Sequence, residues 1–292
     1  MESSLVTNLL LPLALGVVML GLGLSLTTDD FKRIARYPKA VLIGLATQTI
    51  VLVTIAYALT QWFALSPELS VGLMLLAASP GGATANIYSH LAKGDVALNI
   101  TLTAINSALA LITLPLIVNF SLAHFMGQEQ YVPPPTRKVV EVAAIIVFPV
   151  LIGMALRASR PRWAARLEKP IRIFAVLVLL AVILAAIGAE WDRLPGFIAA
   201  VGGACFAFNL LSIGVGYGLP RLLKLERSQS IAISMEIGIH NGTLAIFIAL
   251  NVLQNAQMSI PAAVYSIIMF LTAAVFAYGL TRQSPAPDVR GG

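Results

Sequence analysis

The chain has 292 residues, of which 58% are hydrophobic and only 11% charged, against roughly 25% charged in a soluble domain. That excludes an ordinary soluble enzyme or nucleic-acid-binding module and predicts an all-α polytopic membrane protein. The single cysteine, Cys205, excludes an intramolecular disulfide and a multi-cysteine metal site, and the net charge of +6 needs a membrane explanation.

Nine apolar runs are long enough to cross a bilayer: 5–26, 40–64, 70–92, 96–126, 139–157, 171–190, 197–219, 229–253 and 259–281. The first has no basic segment before it and no small-residue cleavage pattern after it, so it reads as a retained helix. The connection over 29–39 reads as an amphipathic surface segment. Lys32, Arg33, Arg36, Lys39, Lys93, Arg157, Arg160, Arg162, Arg166, Lys169, Arg172, Arg221, Lys224, Arg227, Arg282 and Arg290 all fall on one side if the helices alternate. Only Arg137, Lys138 and Arg193 fall on the other. The positive-inside rule then predicts a cell-membrane protein with its N-terminus outside and its C-terminus in the cytoplasm. Trp62, Trp163 and Trp191 lie near run ends, as interface anchors do.

Two runs are interrupted. The third contains Ser79-Pro80-Gly81-Gly82-Ala83-Thr84-Ala85-Asn86; proline removes a helix hydrogen bond, and the two glycines weaken the next turn. The eighth contains Glu236-Ile237-Gly238-Ile239-His240-Asn241-Gly242-Thr243. A charged side chain at that depth costs about 2.5–3.5 kcal/mol on insertion scales. It is expected only where it faces a cavity or partner. Each break lies in the second-to-last helix of a half, which points to an internally repeated transporter with its site at the crossing. The predicted division is 1–126, a first repeat of four helices; 127–138, a linker; 139–282, a second repeat of five; and 283–292, a tail. Gln48 in mid-run reads as a site residue, and Asn99 and Thr103 share a helix face. Asn106 and Asn209 read equally as packing amides between helices.

Gly21-Leu22-Gly23-Leu24-Ser25-Leu26 with Asp30-Phe31, then Pro80-Gly81-Gly82 with Asn86, then Glu236-Ile237-Gly238-Ile239-His240-Asn241 resemble the bile acid:sodium symporter family over nearly the whole chain. The resemblance implies a nine-helix form of a ten-helix inverted-repeat transporter with two crossed broken helices. Its panel domain would hold helices 1, 5 and 6, and its core domain helices 2–4 and 7–9. It implies alternating-access symport of a small organic anion with Na+ across the lipid bilayer. One sodium site would use Asn86, Asn99, Thr103 and Glu236. A second would use Glu236, Gln48, the carbonyls of Ile237 and Ile239, and His240. Ala83, Thr84, Asn241 and Thr243, at the N-termini of the broken halves, would meet the substrate anion. Hard cations favour such oxygen donors.

Three features depart from a well-studied branch of the family. Ala85 replaces a serine, His240 a glutamine, and Ile268-Met269-Phe270 a Trp-His-Asn run. The first two leave the sodium stoichiometry open, and the third counts against bile acids as substrate. The alternative is a proton-coupled carrier or exchanger on the same fold, driven by Glu236 and His240. An intramembrane enzyme is disfavoured, with no HExxH motif and three histidines.

Overall fold

A computed structural model describes residues 11–32, 35–82, 84–127, 136–167, 169–171, 173–174, 177 and 194–282. The described elements are helical, in this order. They are α1 (Leu11–Ser25), the short α2 (Thr28–Lys32), α3 (Pro38–Trp62), α4 (Pro67–Ala78) and α5 (Ala85–Leu91). Next come α6 (Val96–Phe125), α7 (Thr136–Ser159) and α8 (Leu194–Leu222). The last are α9 (Arg227–Gly238), α10 (Gly242–Phe247) and α11 (Ile260–Arg282). Pro38–Trp62, Val96–Phe125, Ile198–Leu222 and Gln257–Arg282 are each long and apolar enough to span a membrane. Their outward faces carry Leu42, Ile50, Ile112, Leu116, Leu271 and Val275, all well exposed. Such a continuous apolar exterior suits lipid, not water. Among the described residues, the runs 40–64, 96–126, 197–219 and 259–281 coincide with these four helices, the runs 70–92 and 229–253 are each split into two helices, and residues 5–10 and most of 171–190 lie outside the described residues.

Local chemistry explains where the helices begin. Ser66 accepts from the Leu69 N–H and Asp95 from the Leu98 N–H. Glu226 and Gln229 form a reciprocal capping box at the start of α9. The third run starts earlier than its predicted bound of 70: Ser66 is the N-cap, and α4 starts at Pro67. Of the predicted surface segment, residues 29–32 lie in α2, which carries an exposed Lys32–Asp29 ion pair of 2.9 Å, and residues 33–34 lie outside the described residues.

Glycines set the close approaches. A side chain at Gly23 would meet the Val150 carbonyl, and one at Gly153 would meet Leu20 and Gly23 backbone, so α1 and α7 pack backbone to backbone. Gly216 does the same for α8 against Ser234 and Ile237 of α9. Such small-residue seams are how helices associate where lipid removes the hydrophobic drive.

The charge asymmetry yields an orientation test. In a Cys205→Ala background, a cysteine at Ala64, between α3 and α4, should react with an impermeant thiol reagent from outside intact cells. A cysteine at Arg162 should react only after permeabilisation. The reverse labelling pattern would invert the topology.

Candidate functional site

The third run breaks where its sequence demands it. Ser79 precedes proline, which disfavours the helical conformation, and its ψ of 138° is extended. The eighth run breaks after Gly238, with Ile239 also extended at φ −118° and ψ 92°. The Asn241 side chain then caps α10, accepting from the Leu244 N–H at 3.1 Å.

These two breaks meet. Gly81 and His240 form an isolated antiparallel bridge. The Gly82 N–H donates to the Ile239 carbonyl at 2.8 Å, and the Asn241 N–H to the Pro80 carbonyl at 2.9 Å. Backbone groups freed from each helix thus satisfy those of the other, in a region where each unsatisfied group costs several kcal/mol. Gln48 supports the crossing. It sits on a π-helical turn of α3, Thr47–Val51, and its amide N–H groups donate to the Ala77 and Ser79 carbonyls, both at 3.1 Å. Such turns commonly mark functional positions. His240 Nδ1 donates to the same Ser79 carbonyl at 3.1 Å, since a carbonyl oxygen only accepts. The His240 ring lies between Phe208, stacked at 5.6 Å, and Tyr265, edge-on at 5.4 Å. On the other side, the last carbonyl of α9, Gly238, accepts from Asn209 at 3.2 Å and Tyr265 at 2.9 Å. Thr272 donates to the Asn209 oxygen at 2.5 Å, which fixes that amide.

Glu236 is 0% exposed and reaches from the last turn of α9 into this crossing. Thr103 donates to its Oε2 at 2.5 Å and Asn106 to its Oε1 at 3.2 Å. Gly81 packs directly against the carboxylate. A side chain at Gly81 would collide with that carboxylate, so anything larger than glycine must displace it. Thr103 also lies 3.1 Å from the Asn99 carbonyl, but it has one hydroxyl hydrogen, and the bond to the carboxylate is the shorter and stronger. No basic side chain pairs with Glu236 among the described residues.

Among the described residues, several buried polar atoms have no hydrogen-bond partner. They include the amide oxygens of Gln48, Asn86, Asn99 and Asn106, the hydroxyls of Ser89 and Ser107, and His240 Nε2. Asn99 directs its amide N–H to the Ala232 carbonyl at 2.8 Å, which leaves its oxygen uncommitted. Such a surplus of buried acceptors beside a carboxylate is the chemistry a hard cation needs.

The structure therefore gathers Gln48, Thr103, Glu236, Ile239 and His240 through direct bonds, and Asn99 through its bond to α9. Asn86 stands on the first turn of α5, and Ile237 in the last turn of α9. Thr84, Asn241 and Thr243 flank the breaks. The Asn241 oxygen already caps α10, which leaves its amide N–H and one lone pair to meet a ligand. Ala83 lies outside the described residues. Asn106, which reads from sequence as readily as packing glue, is a direct partner of Glu236. Its spacing of three from Thr103 was the available signal.

A model of the sodium bile acid symporter family matches residues 12–195. An uncharacterized sodium-dependent transporter of Bacillus subtilis is 27% identical over 268 residues, covering 90% of this chain and 80% of its own. A probable chloroplastic sodium/metabolite cotransporter of Oryza sativa is 26% identical over 285 residues, covering 96% and 66% respectively. The hepatic sodium/bile acid cotransporter of Rattus norvegicus is 27% identical over 239 residues, covering 80% and 65%. The chain thus spans about two thirds of the length of the last two. With the family model covering most of the chain and ending beyond the first broken helix, the protein belongs to the sodium bile acid symporter family.

Proposed function

We propose that this protein is a secondary active transporter that moves a small organic anion together with sodium by alternating access. The observation that carries the reading is the Glu236 carboxylate, fully buried at the crossing of two broken helices and held by neutral donors only. A lone carboxylate at that depth is favourable only if a cation visits it. The sodium named in the descriptions of the relatives supplies that cation.

In this reading, Glu236, Asn86, Asn99 and Thr103 hold one sodium. Glu236, Gln48, His240 and the carbonyls of Ile237 and Ile239 form a second position. The Ile239 carbonyl retains a second lone pair beside its bond to Gly82. Thr84, Asn241 and Thr243, with Ala83, face the anion. The architecture is the nine-helix inverted repeat, with a panel of α1, α7 and the run 171–190 rocking against a core of the remaining helices. The close glycine-mediated packing of α1 on α7 supports that grouping. Ile268 and Phe270 are half-buried and Met269 is buried, an apolar set that favours a substrate other than a bile acid. Proton coupling through Glu236 and His240 is the second reading. The bare His240 Nε2 favours it, and sodium-independent uptake would establish it.

Reconstituted protein tests the coupling. Glu236→Gln should remove the counter-charge and reduce sodium-driven uptake by about 100-fold or more, as loss of a buried charge pair does, while the protein stays folded in the membrane. Wild-type sodium-driven uptake by this variant would remove Glu236 from coupling. Gly81→Ala should push the carboxylate aside at an overpacking cost of about 1–3 kcal/mol. Sodium should then raise the melting temperature less than in wild type.

His240→Gln preserves a donor for the Ser79 carbonyl and replaces the bare nitrogen with an oxygen. Sodium titrations of uptake should show an apparent affinity tightened roughly fivefold, equivalent to about 1 kcal/mol. An unchanged affinity would confine His240 to bracing the crossing.

A further inference from the structure

The end of α8 and the start of α3 meet in a single turn rich in cations. The turn closes α8 with the Leu225 N–H on the Pro220 carbonyl and the Lys224 N–H on the Arg221 carbonyl. Lys224 has a φ of 62°, the left-handed conformation that favours glycine at a helix end. Two more cations converge here. Lys39 Nζ donates to the Leu223 carbonyl at 2.7 Å, and the Arg221 guanidinium to the Leu225 carbonyl at 2.8 Å. Capping of helix-end carbonyls accounts for that much of Lys39 and Arg221. It does not account for Lys224, and the other two keep most of their donors. All three side chains are exposed, and no carboxylate pairs with any of them among the described residues. The acid of this turn, Glu226, is engaged in the capping box of α9.

Apolar surface leads away from these cations. α3 and α8 lie side by side, from Lys39 against Leu223 at one end to Phe63 against Gly203 at the other. Leu42, one turn from Lys39, is 69% exposed. Gly214 and Gly218 share a face of α8 with Arg221, and a Cβ at either glycine would meet nothing within 4 Å. That face is an open notch leading to the guanidinium.

We propose that this turn binds the headgroup of an anionic phospholipid, with Lys39, Arg221 and Lys224 on its phosphate and its chains along Leu42 and the notch at Gly214 and Gly218. Like charges gathered on one turn repel, and an anion among them reverses the sign of that interaction. A phosphodiester suits the set: guanidinium meets it as a fork, and ammonium as a point charge. Basic side chains beside the bilayer attract anionic lipid, and the apolar notch distinguishes a lipid from free phosphate. A bound lipid bridges α3 and α8 and so stabilises the folded protein.

Lipid titrations of the delipidated full-length protein in a neutral detergent test this, with native mass spectrometry counting bound lipid and melting temperature recorded alongside. Phosphatidylglycerol should bind at least about tenfold more tightly than phosphatidylcholine and raise the melting temperature, and each cation removed should weaken it about fivefold. Lys39→Gln and Arg221→Gln keep an N–H donor at each position. Lys224→Gly removes a charge and relieves the left-handed backbone, so without lipid it should melt no lower than wild type while losing phosphatidylglycerol affinity. Gly218→Leu, which fills the notch, should also weaken phosphatidylglycerol, whereas Arg162→Gln, at an exposed site beyond α7, should not. Glycerol 3-phosphate should leave the melting temperature unchanged. Equal binding of the two phospholipids, equal stabilisation by glycerol 3-phosphate, a loss with Arg162→Gln as large as with the cluster variants, or unchanged phosphatidylglycerol affinity in both Lys39→Gln and Lys224→Gly would each overturn the proposal.

Discussion

The two backbone hydrogen bonds between the broken helices are the constraint on which the site depends. Breaking a helix in hydrocarbon exposes N–H and C=O groups that lipid cannot satisfy. Here, the Gly82 N–H with the Ile239 carbonyl, and the Asn241 N–H with the Pro80 carbonyl, let each break resolve the other. Neither interruption would be stable alone. Their pairing fixes Gly81 against Glu236, His240 against Ser79, and the ends of four half-helices at one point.

The neighbouring side chains act mainly as braces of this unwound backbone. Gln48 and His240 converge on Ser79, while Asn209 and Tyr265 converge on Gly238. Each brace uses a donor on an exposed helix-end carbonyl, which is the commonest shortage at a helix C-terminus. Because the donors of Gln48 and Asn106 are used in this way or on Glu236, and that of Asn99 on the Ala232 carbonyl within α9, their oxygens are left over. The surplus of acceptors that suits a cation is therefore a by-product of holding the crossing together. Stability and ion affinity draw on opposite edges of the same amides.

That arrangement also explains how neutral donors can hold a buried carboxylate. Thr103 and Asn106 supply two hydrogen bonds, and charge-assisted bonds of this kind are roughly twice as strong as neutral ones. They orient the carboxylate without neutralising it. A fixed lysine or arginine would make a permanent pair that no mobile cation could displace. The absence of one near Glu236 among the described residues is in keeping with exchange rather than with a structural ion pair.

Much was legible in the sequence because the membrane leaves few choices. Apolar run lengths located the helices. Pro80 and Gly81-Gly82 announced one interruption, and Gly238 beside Glu236 the other, since each offends helix chemistry in a medium that punishes the offence. The asymmetry of lysine and arginine suggested an orientation by the same logic. What only the tertiary structure decided is which atom faces which. An asparagine reads the same in sequence whether it glues two helices, caps a helix as Asn241 does, or holds a carboxylate as Asn106 does. An amide has both a donor edge and an acceptor edge, and its role is set by partners that lie far away in the chain. Asn106 and Glu236 are separated by 130 positions, so no periodicity or local motif connects them; the meeting of the two breaks does.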